Sequence, residues 1–152
     1  MLLPLWQQLF ILFLMIFHHD YVIRLIQQFV LFLAQLLKLK SKDDPEILLF
    51  EIEKGYQRFL GYPKSLLLKL NVPSLINLFS VDSLFLYERL AILGILLLEE
   101  AEILNRLKFN DDANILRKKG FEILKECLES IKEEELKKII LKNLNECKTK
   151  SF

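Results

Sequence analysis

The sequence has little of what catalysts and metal proteins draw on. It holds two histidines, two cysteines, four glycines and four prolines. The glycines (Gly55, Gly61, Gly94 and Gly120) are scattered, which excludes a Gly-rich loop that cradles phosphate. No His-Glu zinc motif, Cys-x-x-Cys pair or nucleophile elbow occurs. His18 and His19 are neighbours, and adjacent helical side chains point about 100° apart, so they do not chelate one ion together. Cys127 and Cys147 are too few for a disulfide scaffold in a chain of 152 residues. Two free thiols in a reducing cytoplasm are expected. Cys127 falls on an apolar helical stripe, which makes it a core thiol rather than a nucleophile paired with a histidine. Glu99-Glu100 and Glu133-Glu134-Glu135 fall on faces expected to be wet, not on two converging carboxylates. These absences lead to an expectation of no enzyme, with no catalytic, cofactor-binding or metal residues.

Charge is also scarce, but only at one end. Before Lys38 the only charged side chains are Asp20 and Arg24, although the whole chain is 27% charged. Net charge is +1, and the one basic tract, Arg117-Lys118-Lys119, is shorter than a helical turn, so no nucleic-acid partner is expected. Residues 2–17 are apolar apart from Gln7 and Gln8, with Leu9–Phe17 unbroken. A spanning helix needs about 20 apolar residues. A secretory signal needs a basic start and a small-residue cleavage site, and neither precedes Arg24. A buried first helix or arm is therefore expected, with a membrane anchor over residues 2–17 as the alternative.

What is abundant is Leu, Ile, Lys and Glu in a chain that is 53% hydrophobic. That mixture favours long helices, because these side chains lose little rotamer freedom there. Asp20 is read as the cap of a helix over 21–39, apolar on most sides and hence either central to the domain or half core and half partner interface. Asp44-Pro45-Glu46 starts a helix that Gly61 and Pro63 end near Leu60. Its buried side is expected to be Ile47, Leu48, Phe50, Ile52, Tyr56 and Phe59. Two short helices follow over 64–70 and 73–79, with a break at Val72 before Pro73.

Asp82 caps a long helix over 83–107. Leu84, Leu90, Leu93, Leu97, Ala101 and Leu104 are on one side, Ala91, Gly94 and Leu98 on the next. Glu99, Glu100, Glu102, Asn105 and Arg106 are placed on its wet side. An interior glycine costs about 1 kcal/mol against alanine, so Gly94 implies a closely packed neighbour. Asn110 caps the next helix, with Asp111 and Asp112 in the first turn. Ser130 and Glu133 read as a capping box for the last helix, whose stripe is Leu136, Ile139, Ile140, Leu144 and Cys147.

The hairpin Leu97 to Lys125 resembles a single, degenerate tetratricopeptide repeat. Ala101, Ala113 and Gly120 stand at that family's small positions, and Leu97 and Leu104 at two large ones. Arg117 replaces an aromatic, and Lys125 the terminal proline. Asp20-Tyr21-Val22-Ile23-Arg24-Leu25-Ile26-Gln27-Gln28, with the apolar helix and hairpin after it, resembles a small uncharacterised bacterial protein family. There the motif stands close to the initiator Met, so the resemblance implies that Met15 is the start and that residues 1–14 precede it.

The expected fold is all-α, a bundle of six or seven helices with a tetratricopeptide-like hairpin. Residues 1–19 form an apolar extension, 20–147 one domain, and 148–152 a frayed tail. The expected function is a non-catalytic, cytoplasmic protein–protein interaction module with no cofactor. Homo-oligomerisation through the apolar N-terminal region is a close variant, and membrane association the alternative.

Overall fold

The computed structural model describes residues 3–41, 44–81 and 85–149. Among these residues all regular structure is helical. The first helix, α1, is Leu5–Lys40. Asp20 does not begin it; this residue is exposed in mid-helix, and the apolar extension is continuous with the first domain helix. The reason lies in what surrounds Asp20. No glycine or proline lies between Leu5 and Lys40, and propagating a helix is far cheaper than nucleating a second one. An interior Asp costs well under about 1 kcal/mol.

Nor is α1 central. It buries one stripe, Ile26, Phe29, Phe32 and Leu36, while Arg24, Gln27, Gln28, Leu31, Gln35 and Lys38 face out. The central helix is α5 (Leu86–Arg106), in which every residue from Leu90 to Leu98 is buried. Its expected cap and first turn, Asp82, Ser83 and Leu84, lie outside the described residues.

Helix α2 (Pro45–Leu60) follows its sequence signals closely. The Asp44 carboxylate accepts from the Glu46 N–H at 3.2 Å, and Gly61 closes the helix with φ 75°, its N–H donating to Gln57 O. Leu48, Ile52, Tyr56 and Phe59 form the buried side. Ile47 and Phe50 were expected there but are exposed; the Lys54 ammonium lies 4.4 Å from the Phe50 ring centre.

The short helices are α3 (Lys64–Lys69) and α4 (Val72–Ser80). Val72 is inside α4, so the break falls at Leu70–Asn71. Asn71 caps the helix, its side chain accepting from the Ser74 N–H at 2.9 Å. The carbonyls left over at the end of α3 are met from elsewhere in the fold. The Lys119 ammonium donates to Leu67, Leu68 and Leu70 O at 3.2, 2.9 and 2.6 Å. Part of the basic tract thus serves as a helix cap.

Helix α6 (Asn110–Cys127) packs along α5. Lys108 turns left-handed (φ 67°) and the Phe109 N–H reaches back to Leu104 O, which closes α5. Asn110 is already helical, so Phe109 holds the cap position and no side chain caps this end. Asp111 and Asp112 do occupy the first turn.

The two helices cross at Gly94 and Gly120. A Cβ on Gly120 would stand 2.9 Å from Gly94 O, and one on Gly94 would stand 2.7 Å from a methyl of Leu124. Ala101 and Ala113 are fully buried.

A 3-10 turn, Leu128–Ser130, leads to α7 (Glu134–Thr149). Ser130 ends that turn, so the expected capping box does not form. Ile131, 1% exposed, is driven into the core and displaces the helix start to Glu134. Leu136, Ile140, Leu144 and Cys147 are buried as read from the sequence, while Ile139 is half-buried. The expected fraying over 148–152 is not seen at Lys148 and Thr149, which continue α7; the other three positions lie outside the described residues.

Candidate functional site

Only two charged side chains, Glu100 and Arg117, are buried among the described residues. Glu100 was expected on a wet face and is 2% exposed instead. Its carboxylate accepts from the Tyr56 hydroxyl and from the Lys64 ammonium, both at 2.6 Å. Lys64 also stands 3.5 Å from Glu53. Both carboxylate oxygens are thus occupied by the protein itself. The cluster braces α2, α3 and α5 against one another. Lys40 makes a similar brace between the end of α1 and the α5 carboxylates Glu99 and Glu102. Arg117 donates to the Asn114 side chain at 2.9 Å.

Burial and the Glu100 carboxylate push the Tyr56 phenol well above its ordinary value. Burial pushes the Cys127 thiol up to about 12. Groups whose folded pKa lies above the unfolded value stabilise the fold below the unfolded pKa, and that contribution is lost as pH rises. Stability is therefore expected to hold through neutral pH and to fall from about pH 9 upward, where unfolded thiols and then phenols ionise first. Chemical unfolding midpoints at pH 7, 9 and 10.5 check this; a midpoint that rises with pH contradicts it. Cys127 is expected to resist thiol reagents at pH 8 until the protein is denatured.

His18 and His19 do not converge with other ligand-type residues. His18 is half-buried, its ring centre 5.9 Å from that of Phe85, and His19 is exposed. Among the described residues no group of three or more His, Cys, Asp or Glu side chains could hold a metal ion.

The surface carries a different signal. The part of α1 that precedes Asp20 leaves the core and stays uncovered. Leu5 is 72% exposed, Phe17 63%, and every apolar side chain from Leu9 to Phe17 is exposed. The expectation of a buried first helix is overturned.

Beneath this segment lies an apolar groove of about 740 Å³. Phe13, Leu14, Phe17 and Tyr21 of α1 form one wall, and Phe59, Leu60 and Phe85 the other. Tyr21 stacks on Phe85 with ring centres 5.1 Å apart. Arg58 and Arg89 border the groove, and among the described residues no carboxylate lines it. Arg58 lies over the Phe59 ring, while Arg89 donates to Leu60 O at 2.6 Å and so completes the end of α2.

Chemically, this surface can exclude water from an apolar partner. Among the described residues His18, Tyr21, Arg58 and Arg89 are the polar side chains that line the groove. The sequence flagged the apolar run but not the groove. Phe85 and Phe59, far apart in the chain, give no local sign that they will face Phe17 and Tyr21. Compared with protein-family models, with curated proteins and with solved structures, the chain finds no match.

Proposed function

We propose that the chain is a non-catalytic helical interaction module, working in the cytoplasm, that docks through the apolar first half of α1 and the groove beside it. One observation carries this reading. The stretch Leu5–Phe17 is a contiguous, charge-free and exposed apolar surface on a domain whose core is otherwise complete. Contiguous exposed apolar patches beyond a few hundred Å² are rare on soluble monomers and mark interaction sites. The tetratricopeptide-like hairpin belongs to the same reading. The Gly94–Gly120 crossing makes α5 and α6 a close-packed pair, a rigid base from which α1 projects.

A lipid bilayer is the second reading, and a specific observation favours it. Helix α1 is long and apolar enough to cross a membrane, and only 6% of its most apolar window is buried. Exposure on every side is what lipid tolerates and what a one-sided protein contact does not require.

The experiment is recovery of the C-terminally tagged protein from its own cells, beside a variant carrying L9Q, F10Q, F13Q and F17Q. Gln keeps helix propensity close to that of the residues it replaces. The module reading expects stoichiometric protein in the soluble fraction, bound to the parent and lost from the variant. That protein is either a different chain or a second copy of this one. Parent protein found only with membranes, and released only by detergent, would overturn it in favour of the bilayer.

A further inference from the structure

We propose that the groove beside α1 is a binding site for a long-chain carboxylate, with its head on Arg58 and its chain running along α1 toward Phe13. Such a site goes beyond the docking reading, which rests on the exposed sides of Leu5–Phe17, and is tested apart from it. The first support is shape. Phe13, Phe17, Tyr21 and Leu25 stand at every fourth position and form one row along α1. Phe59 of α2 and Phe85, just before α5, face this row. The groove volume of about 740 Å³ falls within the range of about 300–1,000 Å³ that small-molecule sites occupy.

The ring centre of Phe59 lies 5.2 Å from that of Phe29 and 5.4 Å from that of Phe32, so α2 ends level with the second half of α1. Arg58 therefore marks one end of the groove and Phe13 the other. From Leu25 to Phe13 the row climbs about 18 Å, at about 1.5 Å per residue. An extended hydrocarbon with bonds of about 1.5 Å advances roughly 1.3 Å per carbon, so the row matches a chain of about 14 carbons.

The second support is charge. Arg89 is engaged by the fold, donating to Leu60 O at 2.6 Å and lying over the Phe79 ring. Arg58 is exposed and lies over the Phe59 ring, 4.8 Å from its centre, and no ion pair among the described residues uses its charge. A guanidinium stacked on a ring keeps its N–H donors in its own plane, where a carboxylate can take two at once. Among the described residues no carboxylate lines the groove, so an anionic head meets attraction there without repulsion. A neutral head would leave Arg58 unused, and a cationic one would be repelled. An apolar row with a cation at its end thus selects an amphiphile with a single negative charge.

Equilibrium dialysis of the purified full chain against radiolabelled tetradecanoate, below its micellar concentration and without detergent, tests the site. Saturable binding of one molecule per chain is expected. Each buried methylene should tighten binding about fourfold, so tetradecanoate should bind about 15-fold more tightly than dodecanoate. Chains longer than about 14 carbons should gain little more, because the row ends at Phe13. R58Q, at an exposed position, should keep the parent's helicity and weaken the acid at least about fivefold, with the neutral methyl ester unchanged. F17Q should weaken acid and ester alike. L9Q/F10Q alters exposed positions outside the groove and should leave both unchanged. Equal binding of acid and ester by the parent would overturn the proposal, as would an R58Q variant that holds the acid as tightly as the parent. Non-saturable uptake that L9Q/F10Q abolishes would show adsorption to the outer face of α1 and overturn it as well. A chain that binds no tetradecanoate yet captures a protein through Leu9–Phe17 would sink the site and leave the docking reading intact.

Discussion

Replacing Gly120 with valine is expected to destabilise the fold by more than about 3 kcal/mol. A Cβ at this position meets Gly94 O at 2.9 Å and the Leu98 side chain at 3.0 Å. The first of these is backbone, which cannot rotate away, so α5 and α6 must separate. Their crossing is the most extensive helix contact in the fold, and α5 is its enclosed centre. G120A, which adds one methyl, is expected to cost about 1–3 kcal/mol even though alanine is the better helix former by about 1 kcal/mol. G94A should cost less. Its new methyl meets the side chain of Leu124, which can yield, with Gly120 O further off at 3.3 Å. Thermal melts of the three variants check the order. At about 2–4 °C per kcal/mol, G120V should melt at least roughly 6–12 °C below the parent. A G120A variant more stable than the parent would show that the helices are not in contact there.

The second large effect is expected at Glu100. E100A removes the acceptor of a buried phenol and the partner of a half-buried ammonium in one step. Breaking a buried charge pair costs about 3–5 kcal/mol. Lys64 is 28% exposed and keeps Glu53 within reach, which moderates the loss to about 2–4 kcal/mol. E100Q leaves an acceptor for Tyr56 and should cost about half as much. Y56F should cost about 1–2 kcal/mol, since Glu100 then keeps Lys64 alone. The Y56F/E100A double variant should lose less than the two single losses together, because both remove one hydrogen bond. Strict additivity in urea unfolding would show that the two groups do not interact.

These sites also mark how far the sequence could be read. Signals that act within a few residues survived into the structure. The Asp44-Pro45 start, the Gly61 stop, the acidic first turn of α6 and the stripe of α7 each depend on neighbours in sequence. Gly94 was legible because an interior glycine is costly unless something stands against it. What failed was decided by helix continuation or by burial, which the short signal itself does not encode. Asp20 resembles a cap, but a cap needs the preceding residues to leave the helix, and Leu5–His19 do not. Ser130 and Glu133 match a capping box until the burial of Ile131 takes priority. Glu100 sits among charged neighbours and reads as wet; only Tyr56 and Lys64, brought from α2 and α3, explain its burial.

The candidate site was half legible. The charge-free run announced itself by composition. Its exposure did not, because a buried helix and an uncovered one share the same apolar sequence. The groove required Phe59, Phe85 and Tyr21 to meet, and no periodicity within one helix shows that.

The central claim is that Leu5–Phe17 serves an outside surface and contributes nothing to the domain core. Hydrogen exchange read by mass spectrometry, comparing the parent with the variant carrying L9Q, F10Q, F13Q and F17Q, tests it most directly. The account expects α5 and α6 to keep the same protection in both proteins, with faster exchange in the variant confined to the first half of α1. Loss of protection across α5 and α6 would contradict it and return the segment to the core.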